Sequence, residues 1–182
     1  MRKSTKKRSP NLQSYMAEII KIQDKRREFI DTLIELAEKD ERIILIIPDV
    51  GFNYCEKFQE KFPNRFFNLG VTEQSCIMIA TGMAKEGLRP YVYSMINFVL
   101  FRPAEMVRNG LVGHDAPVTL LGVKGSSSYK FLGFSHNLLH ETEDFAFCDN
   151  IGLAWKNPQT NEEVRQAILD GYANDKPLYI RL

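Results

Sequence analysis

With 182 residues, 44% hydrophobic and 26% charged, and a net charge of +1, the chain has the make-up of one globular domain with a substantial core, not of a disordered polypeptide. No apolar run reaches membrane-spanning length and none follows the basic start, which argues against a transmembrane helix and a secretory signal. Cys55, Cys76 and Cys148 are odd in number, far apart and without a CxxC pair, so reduced thiols in a cytoplasmic protein are expected.

The excess positive charge lies at the front, where Arg2, Lys3, Lys6, Lys7 and Arg8 precede Pro10. A short solvated basic tail and an arm for an anionic partner both fit. No interleaved aromatics accompany the charges, so nucleic-acid binding is not expected. From Leu12 to Lys39 the pattern is helical, with Ile19, Ile22, Phe29, Leu33 and Leu36 or Ala37 on one face. Arg26 and Arg27 in its middle are solvated helix charges unless the fold turns one toward an anion. Residues 1–20 are assigned to the arm and the start of this helix, and residues 21–182 to one domain.

IILIIPDV, residues 43–50, is a continuous apolar run of the kind that a strand buried on both faces requires, with Asp49 and Gly51 at its carboxyl end. A polar helical segment from Tyr54 to Lys61 ends before Pro63, and Phe66 to Leu69 form a short strand closed by Gly70. Cys76, Ile77, Ala80, Met83 and Ala84 then recur at helical spacing, which makes Thr72 an N-cap and Glu73 the first helical residue. Residues 89–95 read as the next strand. Asn97 opens a helix through Phe98, Phe101, Met106 and Val107, with Pro103 tolerated early in it.

PVTLLGV, residues 117–123, is another buried strand, followed by the long Gly/Ser-rich loop KGSSSYKFLGFSH. A helix around Glu141 to Cys148, a strand at Gly152 to Trp155, a helix starting at Asn161 and Glu163, and the strand PLYIRL complete the chain. Strands alternating with helices predict an α/β fold with a mostly parallel sheet covered by helices on both faces.

Four local features bear on chemistry. Glu73 has two readings: a carboxylate in a first helical turn, favoured by the helix dipole, or a ligand-facing acid at the carboxyl end of a strand, where open α/β sheets bind ligands. In the second it can share a proton with a ligand nitrogen. His136 and His140, with Glu141, Glu143 and Asp144 behind them, lack the ligand set of a zinc site, and no metal site is expected; a loop histidine for proton transfer or substrate hydrogen bonding fits better. Gly122, Gly125 and the serines after them can cradle a phosphate or simply form a flexible loop. Phe98 and Phe101 are core residues by default and a stacking platform only if they lie near Glu73.

Taken in register, five of these blocks resemble the pyrimidine-binding domain of the transketolase family of thiamine-diphosphate enzymes. They are LGVTEQ around Glu73, ATGMAKEGLRP from Ala80 to Pro90, SMINFVLF at 94–101, GFSH ending in His136, and YIRL at the end. The likeness covers about residues 24–182. It implies the thiamine-diphosphate-binding fold, with Glu73 bonded to N1′ of the cofactor's aminopyrimidine. That contact shifts the exocyclic amine toward the imino form that removes the C2 proton of the thiazolium.

The resemblance also implies that Phe98 and Phe101 pack against the pyrimidine and that Asp49 lines the cofactor pocket near a subunit contact. Met95 stands there in place of a family aromatic. His136 is implied at the hydroxyl and carbonyl end of the substrate, and Arg26 and Arg181 at the phosphate of a sugar. Lys124 occupies a family histidine position on the substrate side, and Leu132 the place of the donor-loop aspartate, four residues before His136. The segment between His136 and Glu143 is a few residues longer than usual. These departures imply a related but altered sugar or keto substrate.

Neither the GDG and asparagine motif that binds magnesium and diphosphate nor a third domain is found. The expectation is therefore a split enzyme: a smaller subunit completed by a diphosphate-binding subunit that carries the Mg2+ ligands, in a hetero-oligomer that also self-associates. Such a subunit moves a two-carbon ketol unit between sugar phosphates. The alternatives are a subunit of a 2-oxoacid decarboxylating or deoxyxylulose-phosphate-synthase-like enzyme, or a catalytically silent paralogue.

Overall fold

The strand β1 (Ile43–Ile47) is buried along its whole length, as its run of isoleucine and leucine demands, and neighbours cover it on all sides. In the computed structural model, which describes residues 24–125 and 127–182, it lies inside a six-stranded sheet. The other strands are β2 (Phe66–Asn68), β3 (Arg89–Met95), β4 (Thr119–Val123), β5 (Ala154–Lys156) and β6 (Leu178–Arg181), in the order β2-β1-β3-β4-β6-β5. Every pairing is parallel. Leu45 faces Tyr91, Tyr91 faces Thr119, and Thr119 faces Leu178 across successive ladders.

Because side chains alternate along a strand, this register sorts the core into two layers. Ile43, Leu45, Ile47, Tyr91, Tyr93, Leu121, Leu178 and Ile180 meet α1 (Lys25–Ala37), α2 (Glu56–Lys61) and α5 (Asn161–Ala173) on one face. Phe29 of α1 stacks on Tyr93 with ring centroids 5.5 Å apart. On the other face Ile44, Ile46, Val92, Leu120 and Tyr179 meet α3 (Glu73–Lys85), the segment after β3, and α4 (Glu143–Ile151). Each large side chain so buried contributes about 1.5–3 kcal/mol. The α/β reading, a parallel sheet with helices on both faces, is what the structure has.

Several boundaries differ from the sequence reading, each for a local reason. The first described helix starts at Lys25 because Asp24 is extended and its carboxylate accepts the Arg26 N–H, a capping arrangement that a helix running on from Leu12 would not have. The basic arm and the predicted turns before Asp24 lie outside the described residues. Thr72 does sit at the N-cap of α3, but its hydroxyl donates backward to the Leu69 carbonyl and does not cap the helix. After β3 the backbone takes wide i to i−5 turns over Asn97–Phe101 and Met106–Val112, not one regular helix. Pro103 between them has no N–H to give, and such widened turns gather at functional sites. The helix predicted from Glu141 begins at Glu143, and most of the Gly/Ser-rich loop coils into tight turns at Ser127–Ser135, broken at Gly133.

Gly122 is a point of close packing in the sheet. A Cβ there would lie 2.6 Å from a Tyr179 ring carbon and 2.7 Å from its hydroxyl, which donates to Asp144. Gly122→Ala is therefore expected to lower unfolding stability by about 1–3 kcal/mol. Urea denaturation checks this, and an unchanged midpoint would show that β4 and Tyr179 do not meet in this way.

Candidate active site

Strand order reverses at β1, whose two neighbours β2 and β3 follow it in the chain on opposite sides. The loops leaving the carboxyl ends of β1 and β3 therefore diverge and leave a crevice, the place where open parallel sheets hold ligands. A cleft of about 540 Å³ opens there, bounded by the loop after β1, the start of α3, the end of β3, and the turns that carry Tyr129 and His136.

The loop after β1 is held in an uncommon shape. Asp49, Gly51 and Asn53 all have positive φ, and two of them are not glycine. Gly51 is needed because any side chain would run into the Cys55 sulfur and the Tyr93 ring beneath it. Asn68, at the end of β2, fixes the loop from the other side: its carbonyl oxygen accepts the Asp49 and Gly70 N–H groups at 3.1 Å. Burial pushes the Cys55 thiol below this loop up to about 12, so it is a packing group there and not a nucleophile.

Glu73 opens α3 with only 8% of its surface exposed. Its carboxylate accepts a bond from the Arg102 guanidinium at 2.5 Å, and the same guanidinium lies 4.0 Å over the Phe98 ring. His136 meets Phe98 edge to face at 5.0 Å and stacks on Tyr129 at 6.1 Å. Its Nδ1 pairs with the Ser135 hydroxyl at 2.7 Å. Asn97 ties this loop to the end of β3, donating to the carbonyls of Phe134 and Asn137. Gly125 is needed where the loop doubles back, since a Cβ would meet the His136 carbonyl at 2.4 Å. Ser94, on β3, lines the cleft with 1% exposure, and its hydroxyl has no partner among the described residues.

Of the residues singled out in the sequence, Glu73, Phe98, Asp49, Met95, His136, Lys124 and Arg26 line this one cleft. Lys124 is engaged with Glu141 and holds that carboxyl below its ordinary range. Arg26 lies on the Tyr54 ring at 4.1 Å. Two residues go elsewhere. Phe101 turns away and packs on Phe147 in the second core layer. Arg181 is buried outside the cleft, bonded to the Glu141 carbonyl, 3.6 Å from the Asp144 carboxylate, and over the Phe145 ring. Arg102, Ser94 and Asn68 were missed. Arg102 carried a signal, because it stands four residues after Phe98, the spacing that lays a side chain over an earlier one on a helix. Among the described residues no three His, Cys, Asp or Glu side chains gather as a metal site, and no helix is long and apolar enough to cross a membrane.

Chemically, the floor of the cleft offers an acceptor (Glu73), an aromatic face (Phe98) and a spare hydroxyl (Ser94), which suits a planar nitrogen heterocycle. Comparison with known proteins bears on the same cleft. Residues 24–182 match the family described as transketolase, pyrimidine binding domain. The chain is 33% identical over 160 residues to an apulose-4-phosphate transketolase subunit of Phocaeicola vulgatus, covering 86% of this chain and 50% of that one. To the 6-deoxy-6-sulfo-D-fructose transketolase subunit SqwH of a Clostridium species it is 28% identical over 159 residues, with 86% and 48% covered. The 1-deoxy-D-xylulose-5-phosphate synthase of Aquifex aeolicus is 31% identical over 162 residues, 84% of this chain and 24% of the synthase. The chain thus spans about half the length of the two transketolase subunits. Among solved structures, one described as a split gene transketolase, inactive beta4 tetramer, superposes with a TM-score of 0.76 at 24% identity, over 87% of this chain and 50% of that one. At that identity it speaks for the fold.

The placement of Arg181 is testable. Asp144 is fully buried, and removing the only cation within 4 Å of it among the described residues leaves a carboxylate uncompensated. Arg181→Ala is expected to cost about 3 kcal/mol of unfolding stability. Chemical denaturation of the full chain measures it; a variant of unchanged stability would return Arg181 to the candidate substrate contacts.

Proposed function

The chain belongs to the transketolase pyrimidine-binding domain family, and on that premise we propose that it is the smaller subunit of a split transketolase-like enzyme. Its reaction is the transfer of a two-carbon ketol unit between phosphorylated sugars. The observation that carries the reading is Glu73, a buried carboxylate at a helix start on the floor of a cleft, beside an aromatic face and an orphan hydroxyl. These groups fit the aminopyrimidine of thiamine diphosphate, which, when bound, supplies the carbon nucleophile that holds the transferred unit.

Within this chain Glu73 accepts the hydrogen bond from the ring and sets its protonation state. Phe98 packs against the ring, Ser94 offers a hydroxyl that no other described residue engages, and Asp49 and Met95 bound the pocket. His136 stands on the substrate side of Phe98, held by Ser135 and Tyr129, and binds or moves a proton at the substrate hydroxyl and carbonyl end. Lys124 and Arg26 at the rim supply positive charge for a phosphate. The diphosphate and its Mg2+ fall to a separate partner subunit, in a hetero-oligomer that also self-associates. The relatives that are subunits spanning about twice this length support the split arrangement.

A second reading draws on the synthase relative from Aquifex. The same Glu73 would then serve condensation of a 2-oxoacid with an aldehyde, and Leu132 in place of an acidic donor-loop residue suits a donor with fewer hydroxyls. Turnover of the reconstituted pair with a ketose phosphate donor, set against pyruvate plus an aldehyde, separates the two. Under either reading Glu73→Gln should lower turnover by about 10²-fold or more while the chain still folds. A reconstituted Glu73→Gln enzyme that keeps most of its rate would defeat the proposal.

A further inference from the structure

Arg102 occupies the cleft in a way that the proposed chemistry does not use. Its Nη1 donates to Glu73 at 2.5 Å and its flat guanidinium covers the Phe98 ring at 4.0 Å. Those are the two interactions that a planar nitrogen heterocycle would make here: an N–H···carboxylate bond and a stacked face. His136 also meets the Phe98 ring, at 5.0 Å in a T-shaped arrangement. Ring and guanidinium therefore cannot both lie on that face of Phe98 while bonded to the same Glu73 oxygen, Oε1.

The rest of Arg102 is built for exchange. Its backbone is anchored, with its N–H on the Asn97 carbonyl at 2.9 Å. Its side chain is 44% exposed at the mouth of the cleft, so rotation about its own bonds can carry the charge into water and leave the floor in place. Among the described residues no other cation lies within 4 Å of Glu73. With the guanidinium withdrawn and nothing in its place, Glu73 is a buried charge without a partner.

We propose that Arg102 is an internal stand-in for the ring of the ligand: a guanidinium that covers the floor of the cleft and must be displaced for an aminopyrimidine to enter. This rests on the reading of the cleft given above. It makes the chain's affinity for the ring the intrinsic affinity multiplied by the fraction of time that Arg102 is withdrawn. It also explains how a carboxylate placed for a ligand is tolerated before any ligand arrives.

The test uses the full chain, thiamine as probe and ligand-observed NMR titration, with unfolding stability measured in parallel. Arg102→Ala is expected to bind thiamine about tenfold more tightly than the wild type, yet to be less stable when ligand-free. Free guanidinium at a non-denaturing concentration should compete with thiamine in Arg102→Ala and not in the wild type. Arg108→Ala, which removes the same charge from an exposed position in the same segment, should bind as the wild type does. If Arg102→Ala binds thiamine equally or more weakly, or if Arg108→Ala tightens binding as much, the stand-in is overturned while Glu73-dependent binding by the wild type keeps the functional reading. If neither chain binds thiamine, the stand-in is overturned, because removing Arg102 then uncovers no ring site; if Glu73→Ala binds as well as the wild type, the functional reading falls and the stand-in with it.

Discussion

A carboxylate with 8% of its surface exposed is costly to keep charged without a partner, and the site is arranged around that constraint on Glu73. It begins α3, so the helix N-terminus favours its negative charge. Arg102 reaches it from the widened turns after β3. Those turns flank Pro103, which has no N–H for a regular helix, and they bring Phe98 and Arg102 to the same spot. The sheet fixes everything else: β1 and β3 end at the point where strand order reverses, and the acid lies in the crevice between the loops that leave them.

Around this centre the structure assigns each polar side chain to one of two tasks. Asn68, Asn97 and Asn137 hold loops in place with side-chain amides, and Gly51 and Gly125 let two chain segments approach more closely than any other residue would allow. Ser94 does nothing of this kind: its hydroxyl is buried and has no partner among the described residues. Arg181 belongs with the scaffold, since its guanidinium compensates Asp144 and covers Phe145 on the far side of β4. The division keeps the walls of the cleft preorganised.

Patterns of short range were legible in the sequence. The isoleucines of 43–47 announced a strand buried on both faces, the spacing of Cys76, Ile77, Ala80 and Ala84 announced a helix beginning at Glu73, and five blocks in register announced the family. What was not legible depends on where distant segments meet. Nothing local distinguishes Phe98, which faces the cleft, from Phe101, which faces the core three residues later, because the turn between them is wider than a regular helix. Arg181 was set at a phosphate by the resemblance, and its buried partner Asp144, far away in sequence, gave no local sign against it. Arg102 was overlooked for the matching reason, since its partner lies 29 positions before it.

We infer that this chain provides the half of a thiamine-diphosphate site that grips the aminopyrimidine through Glu73. The most direct measurement is a crystal structure of the chain with its diphosphate-binding partner and thiamine diphosphate. The account predicts N1′ within about 3 Å of a Glu73 oxygen, the ring against Phe98, and the Arg102 guanidinium withdrawn from both. A ring bound away from Glu73, or one bound while Arg102 still holds that carboxylate, would contradict it.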